Sequence, residues 1–174
     1  MIYIVGAARS GKSTLAYILK EKDPNINFIS TEAIYHAMAY AYKDMKVEKN
    51  SKQMADMIYK FAEWSEVLNG QKSVIDVGLM DIELINSVLT ENDIIVCLGF
   101  GGDKSINQIW ALIEQYHQEY DYTYTLGLDR AKKMWGDFAL DDRRNKLYCE
   151  QNGIMYVDTS SNRDEKLQKV ANIL

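Results

Sequence analysis

The chain has 174 residues, 47% of them hydrophobic, which is enough for one substantial core and predicts a single globular unit over residues 1–174. A formal net charge of −5 and a pI near 5.1 argue against a general nucleic-acid binder, whose sequence-independent affinity needs a basic surface to displace counterions. No run approaches the roughly 20 apolar residues of a membrane-spanning helix, the two cysteines lack metal or disulfide spacing, and the start runs into an apolar strand without a leader pattern. The expectation is a reduced, cytoplasmic setting with neither nucleic acid nor membrane as partner.

Apolar runs rich in β-branched residues alternate along the chain with segments of helical periodicity, the order that a parallel sheet covered by helices produces. Residues 2–5 form the first predicted strand and residues 12–22 the first helix, with Leu15, Ile18 and Leu19 on one face and Pro24 closing it. A strand at 27–29 leads through Ser30 or Thr31, either a suitable cap, into a helix whose stripe is Ile34, Met38, Ala41 and Met45. After the polar residues 48–52, a further helix carries Met54, Ile58, Phe61, Trp64 and Leu68 as far as Gly70. Residues 73–77 form the third strand and residues 82–89 a short helix.

The unbroken apolar run at 94–98 predicts a fourth strand, over 93–98, covered on both faces. A glycine-rich loop, Gly99 to Gly102, is read as a tight turn or a second anion site, the turn being preferred; Asp103 would then cap a long helix with Ile106, Ile109, Trp110, Ile113 and Tyr116 on its buried side. Periodicity weakens between residues 120 and 137, and the tyrosines Tyr116, Tyr120, Tyr122 and Tyr124 suit either a stacking surface or a helix cover. A helix near 142–151, a strand at 154–157 and a last helix with Leu167, Val170 and Leu174 complete the pattern. His36 and His117 have no second histidine or cysteine at ligand spacing, so no metal centre built on such ligands is expected.

One motif carries chemistry. Gly6, Ala7, Ala8, Arg9, Ser10, Gly11, Lys12, Ser13 and Thr14 match glycine, four residues, then glycine, lysine and serine, between a predicted strand and a predicted helix. A phosphate chain needs backbone N–H groups converging from a tight turn, and glycines allow that approach. The helix N-terminus adds partial positive charge. Lys12 then reaches the β- and γ-phosphates as a cation, and the Ser13 hydroxyl is placed for Mg2+. Arg9 is read either as a phosphate contact or as a solvated loop residue.

With this loop and the segment from Phe28 to Ile34, the chain resembles the nucleoside-monophosphate-kinase-like branch of P-loop proteins, which includes adenylate kinase and shikimate kinase. The resemblance implies a three-layer αβα fold with a five-stranded parallel sheet in order 2-3-1-4-5, acceptor-binding helices at about 31–69 and a lid-like excursion at about 120–144. It further implies ATP with Mg2+, a small-molecule acceptor, and phosphoryl transfer between them. Asp76, at the end of a strand, resembles the acid near the Mg2+ shell, although an aspartate there also terminates a strand. Glu32 is read either as an acceptor-binding or proton-accepting carboxylate or as a first-turn residue stabilised by the helix dipole.

Arg130, Arg143 and Arg144 lie where related kinases carry lid arginines; Asp141, Asp142, Arg143 and Arg144 equally suit a solvated helix start with local ion pairs. The segment from Thr159 to Arg163 looks like an adenine-contacting loop, or a turn and cap. The main alternative is a nucleotide-dependent hydrolase or switch without a dedicated acceptor, although no guanine-reading sequence is present; a degenerate interaction module is disfavoured by the intact loop.

Overall fold

The computed structural model describes residues 1–41, 48–78, 80–115 and 128–174. Five strands, β1 (Ile2–Gly6), β2 (Asn27–Ser30), β3 (Ser73–Asp76), β4 (Ile94–Gly99) and β5 (Met155–Asp158), pair in parallel in the order β2-β3-β1-β4-β5. Between them run α1 (Lys12–Lys22), α2 (Thr31–Ala41), α3 (Lys52–Asn69), α4 (Ile82–Asn86), α5 (Ile106–Gln115) and α6 (Leu128–Asn152), with α7 (Arg163–Ile173) last. The fold class and the strand order are those that the resemblance implied.

Alternation along β1 explains the layers. Tyr3 and Val5 point to a core built with Met54, Ala55, Ile58 and Ala62 of α3, Ile82 and Ile85 of α4 and Cys149 of α6. Ile2 and Ile4 point the other way, onto Leu15, Ala16 and Leu19 of α1 and Leu167, Val170 and Ala171 of α7. A strand whose successive side chains are all buried is covered on both faces, and each aliphatic side chain there contributes about 2 kcal/mol of transfer free energy. A smaller cluster of Ala7, Phe100, Ile109 and Ile113, flanked by Met134 and Phe138, joins α5 and α6 beside the carboxyl ends of the central strands.

Several local expectations are revised. α3 buries Met54, Ala55, Ile58 and Ala62, whereas Phe61, Trp64 and Leu68 are exposed. The alanines let the helix approach the sheet, which turns the large side chains outward. Ile106 is half exposed over Gly136 of α6 rather than buried. Asp103 does not cap α5: Ser105 and Gln108 do so reciprocally, the Ser105 amide donating to Gln108 Oε1 (2.9 Å) and the Gln108 amide to Ser105 Oγ (3.4 Å). α6 begins at Leu128, not near residue 142, so residues 128–144 of the expected excursion are helical. Residues 120–127 of that excursion, His117, all four tyrosines from Tyr116 to Tyr124, and Met45 of the α2 stripe lie outside the described residues.

Ser30, not Thr31, caps α2, accepting from the Ala33 amide (3.3 Å). Thr31 instead crosses to the loop after β3: its Oγ1 accepts from the Gly78 amide (2.9 Å). Cys97 of β4 and Cys149 of α6 are both free and buried, and the neighbouring Cys149 thiol together with burial pushes the Cys97 thiol up. No described helix is long and apolar enough to cross a membrane.

Candidate active site

Parallel pairing brings five strand ends to one edge. Ser30 stands in register with Asp76, Gly6 with Leu98, and Gly99 with Asp158, so each loop that follows a strand opens on the same side. In open α/β sheets ligands bind at this carboxyl edge. Here it opens into a cleft of about 1200 Å³.

The loop from Gly6 to Thr14 forms the cleft floor. Gly6 has φ +126°, and a Cβ there would sit 1.9 Å from the Leu98 carbonyl oxygen of β4, so no other residue fits without parting β1 from β4. Gly11 has φ +103° and lies under the Arg163 and Leu167 side chains of α7. Ser10 is buried, with its hydroxyl donating to the Ala7 carbonyl (2.8 Å), and does not line the cleft. Gly6, Ala7, Ala8, Arg9, Gly11, Lys12, Ser13 and Thr14 do.

The Lys12 ammonium is drawn into the loop, donating to the carbonyls of Gly6 (3.1 Å) and Ala7 (3.0 Å). Burial lowers its pKa from the ordinary 10.5; Asp76 and Glu32 act in the opposite sense. Beside it the Ser13 hydroxyl donates to Asp76 Oδ2 at 2.6 Å. Two hard oxygen donors in contact at the cleft floor suit a magnesium ion, which takes oxygen ligands and keeps several waters. Among the described residues no group of three or more histidines, cysteines or carboxylates gathers as a metal cluster, so such an ion would also need oxygens from phosphate or water.

Glu32, in the first turn of α2, and Arg144, on α6, face the same cleft. Glu32 lies against Gly78 and has His36 Nε2 at 3.7 Å. Arg144 has Asp141 Oδ1 at 3.9 Å. Arg163 also lines the cleft and donates to Thr14 Oγ1 (2.9 Å), tying α7 to the start of α1. The other two lid candidates go elsewhere. Arg143 donates to the Gly102 carbonyl (3.2 Å), and Arg130 is exposed near the start of α6; neither lines the cleft.

The glycine-rich loop after β4 does hold an anion, and the anion belongs to the chain. Buried Asp142 accepts from the amides of Phe100 (3.0 Å) and Gly102 (2.9 Å) and from the Tyr156 hydroxyl (2.8 Å). The Tyr156 oxygen in turn accepts from the Gly101 amide (2.9 Å). Gly99 is required, because a Cβ would lie 1.9 Å from Asp142 Oδ1. Burial lifts the Asp142 carboxyl above the usual carboxylate range, against the pull of these hydrogen bonds. Asp142 thus anchors α6 to β4, and its neighbours Asp141 and Arg144 are presented to the cleft.

After β5, Thr159 is committed to structure, its amide and hydroxyl both donating to the Gly99 carbonyl (2.8 and 3.0 Å). Of that segment only Arg163 lines the cleft. Sequence reasoning missed Asn50, Met80, Asp81, Phe138 and Asn145, all of which do. Asn50 and Asp81 lock two loops together: the Asn50 side-chain amide donates to Asp81 Oδ2 (2.8 Å) and the Asp81 amide to Asn50 Oδ1 (2.9 Å). Tyr35 lines a small side recess with Glu32 and Lys49, while Tyr59 packs against the core.

No family model matches the sequence, and no curated protein does. Solved structures do match over nearly the full length. A shikimate kinase from Acinetobacter baumannii, in complex with shikimate, superposes with a TM-score of 0.56 at 16% identity, covering 99% of this chain and 91% of that one. A deoxyadenosine kinase from M. mycoides, with the products dCMP and dCDP bound, gives a TM-score of 0.50 at 16% identity, with 99% and 97% covered. Strand order, the loop after β1 and this coverage agree: the chain has the fold of the P-loop small-molecule kinases.

Proposed function

We propose that the protein transfers the γ-phosphoryl group of ATP to a hydroxyl of a small acceptor held between α2, the loop after β3 and α6. The observation that carries this reading is the convergence of Lys12, the Ser13–Asp76 pair, Glu32 and Arg144 on one cleft. A bound Mg2+, held by Ser13 and Asp76, would supply neutralisation of phosphate charge.

The chain's own groups account for the rest. Backbone amides of the loop and the start of α1 bind the phosphates, and the Lys12 ammonium exchanges its two carbonyl partners for phosphate oxygens. Glu32 is close enough to influence the Lys12 charge, a position from which it can orient an acceptor hydroxyl and take its proton. Arg144 meets the charge that spreads over the transferred group. Arg163, at the cleft edge, ties α7 to the loop through Thr14.

The test is an ATP-consumption screen over nucleosides, sugars, amino alcohols and hydroxy acids, with K12A as control. Acceptor-dependent ADP release that K12A loses by about 100-fold or more is the expected result. Slow hydrolysis indifferent to every acceptor would select the nucleotide-switch reading instead.

A further inference from the structure

The two halves of the cleft differ in charge. The half formed by the phosphate loop, α1 and α7 carries three cations, Arg9, Lys12 and Arg163, against Glu21 and the Ser13-bonded Asp76, and suits a triphosphate. The half formed by α2, the loops at Asn50 and Asp81, and α6 carries Glu32, Asp81 and Asp141 against Arg144. Each described cation on this second side already has a partner. Arg144 stands by Asp141 (3.9 Å) and the Lys49 ammonium over the Tyr35 ring, 4.5 Å from its centroid, while His36 Nε2, a cation only when protonated, lies 3.7 Å from Glu32.

A phosphate or carboxylate on the acceptor would therefore meet three carboxylates with no described cation held ready for it. Like charges brought together are unfavourable, the more so as a bound acceptor displaces water from between them. Asp81 and Asp141 come from different elements and stand near enough to repel one another, so that burial and then Asp81 raise the Asp141 carboxyl. A cation between them would relieve that repulsion; an anion would add to it. Met80 and Phe138 offer apolar contact for a carbon skeleton, and Asn50 and Asn145 amide groups for hydroxyls.

Resting on the phosphoryl-transfer reading, we infer that the acceptor is a small alcohol without phosphate or carboxylate, either uncharged or amine-bearing, held opposite the phosphate loop by Glu32, Asp81 and Asp141. This separates the chain from enzymes of the same fold whose acceptors are anions, and it makes the acidic lining the determinant of specificity.

The experiment uses matched pairs: adenosine with AMP, glucosamine with glucuronate, and ethanolamine with glycolate. ATP turnover is measured on the full chain with Mg2+, and protection against thermal unfolding is measured with a non-hydrolysable ATP analogue. The expected result is that one or more uncharged or amine-bearing members surpass their anionic partners by about tenfold or more in kcat/KM or in affinity. The variants D81N and D141N should narrow that ratio through KM, which a merely structural role would not do. Preference for the anionic members overturns the inference and leaves phosphoryl transfer standing. If no member changes turnover or protects the chain, while ATP binding still depends on Lys12, both this inference and the phosphoryl-transfer reading fall.

Discussion

Replacing Asp142 tests whether one buried carboxylate holds α6 in register with the sheet. In D142A three donors lose their acceptor: the Phe100 amide, the Gly102 amide and the Tyr156 hydroxyl. Each stranded buried donor costs about 1–3 kcal/mol, and relief of the carboxylate's own desolvation returns part of that, which leaves a loss of about 3–5 kcal/mol. D142N keeps one acceptor oxygen for Phe100 and Tyr156 but turns an amide N–H toward that of Gly102, for a loss of about 1–3 kcal/mol. Urea unfolding followed by circular dichroism reads both values. Because α6 also presents Arg144, the D142N variant should lower kcat more than it raises KM for ATP. Equal losses for the two variants, or losses below about 0.5 kcal/mol, would refute the anchoring argument.

The adjacent arginines should separate cleanly. R144A is expected to lower kcat by about 100-fold with little change in the urea midpoint, whereas R143A, losing its bond to the Gly102 carbonyl, should cost about 1 kcal/mol of stability and leave kcat within severalfold. G6A should fail to fold or fail to bind nucleotide in equilibrium dialysis, because its Cβ would lie 1.9 Å from the Leu98 carbonyl oxygen. Lys12 links nucleotide binding to protons. Its pKa is lowered in the free chain and phosphate would raise it again, so binding at alkaline pH below 10.5 should take up protons. Calorimetry in buffers of different ionisation enthalpy should detect that uptake for the native chain and not for K12R, and affinity should fall as pH rises through the free-chain value.

The strands and the phosphate loop were legible because each has a local signature, whereas the strand order came only with the resemblance that the loop carries. β-branched runs mark buried parallel strands, and the spacing from Gly6 to Ser13 is dictated by the geometry of a phosphate. The four charged residues from Asp141 to Arg144 were not separable in the sequence. Consecutive helical residues differ by about 100° in direction, and which of them faces inward depends on helix phase. α6 hides that phase, since Leu140 and Leu147 are exposed while Asp142 is buried. The cleft wall at Asn50 and Asp81 was equally hidden, because two loops 31 residues apart meet only once α3 and β3 are in place. In α3 the large apolar residues suggested the buried side, and the small ones, Ala55 and Ala62, occupied it.

Arg163, near the far end of the chain, lies over Gly11 and bonds Thr14 near its beginning. β1 itself is wedged between two strands made later. During synthesis, then, β1 leaves the ribosome well before β3, β4 and α7, and it acquires its final surroundings only after them. Affinity for nucleotide should emerge only when α7 has docked, which makes ligand capture a report on the assembled sheet and its covering helices rather than on the phosphate loop alone.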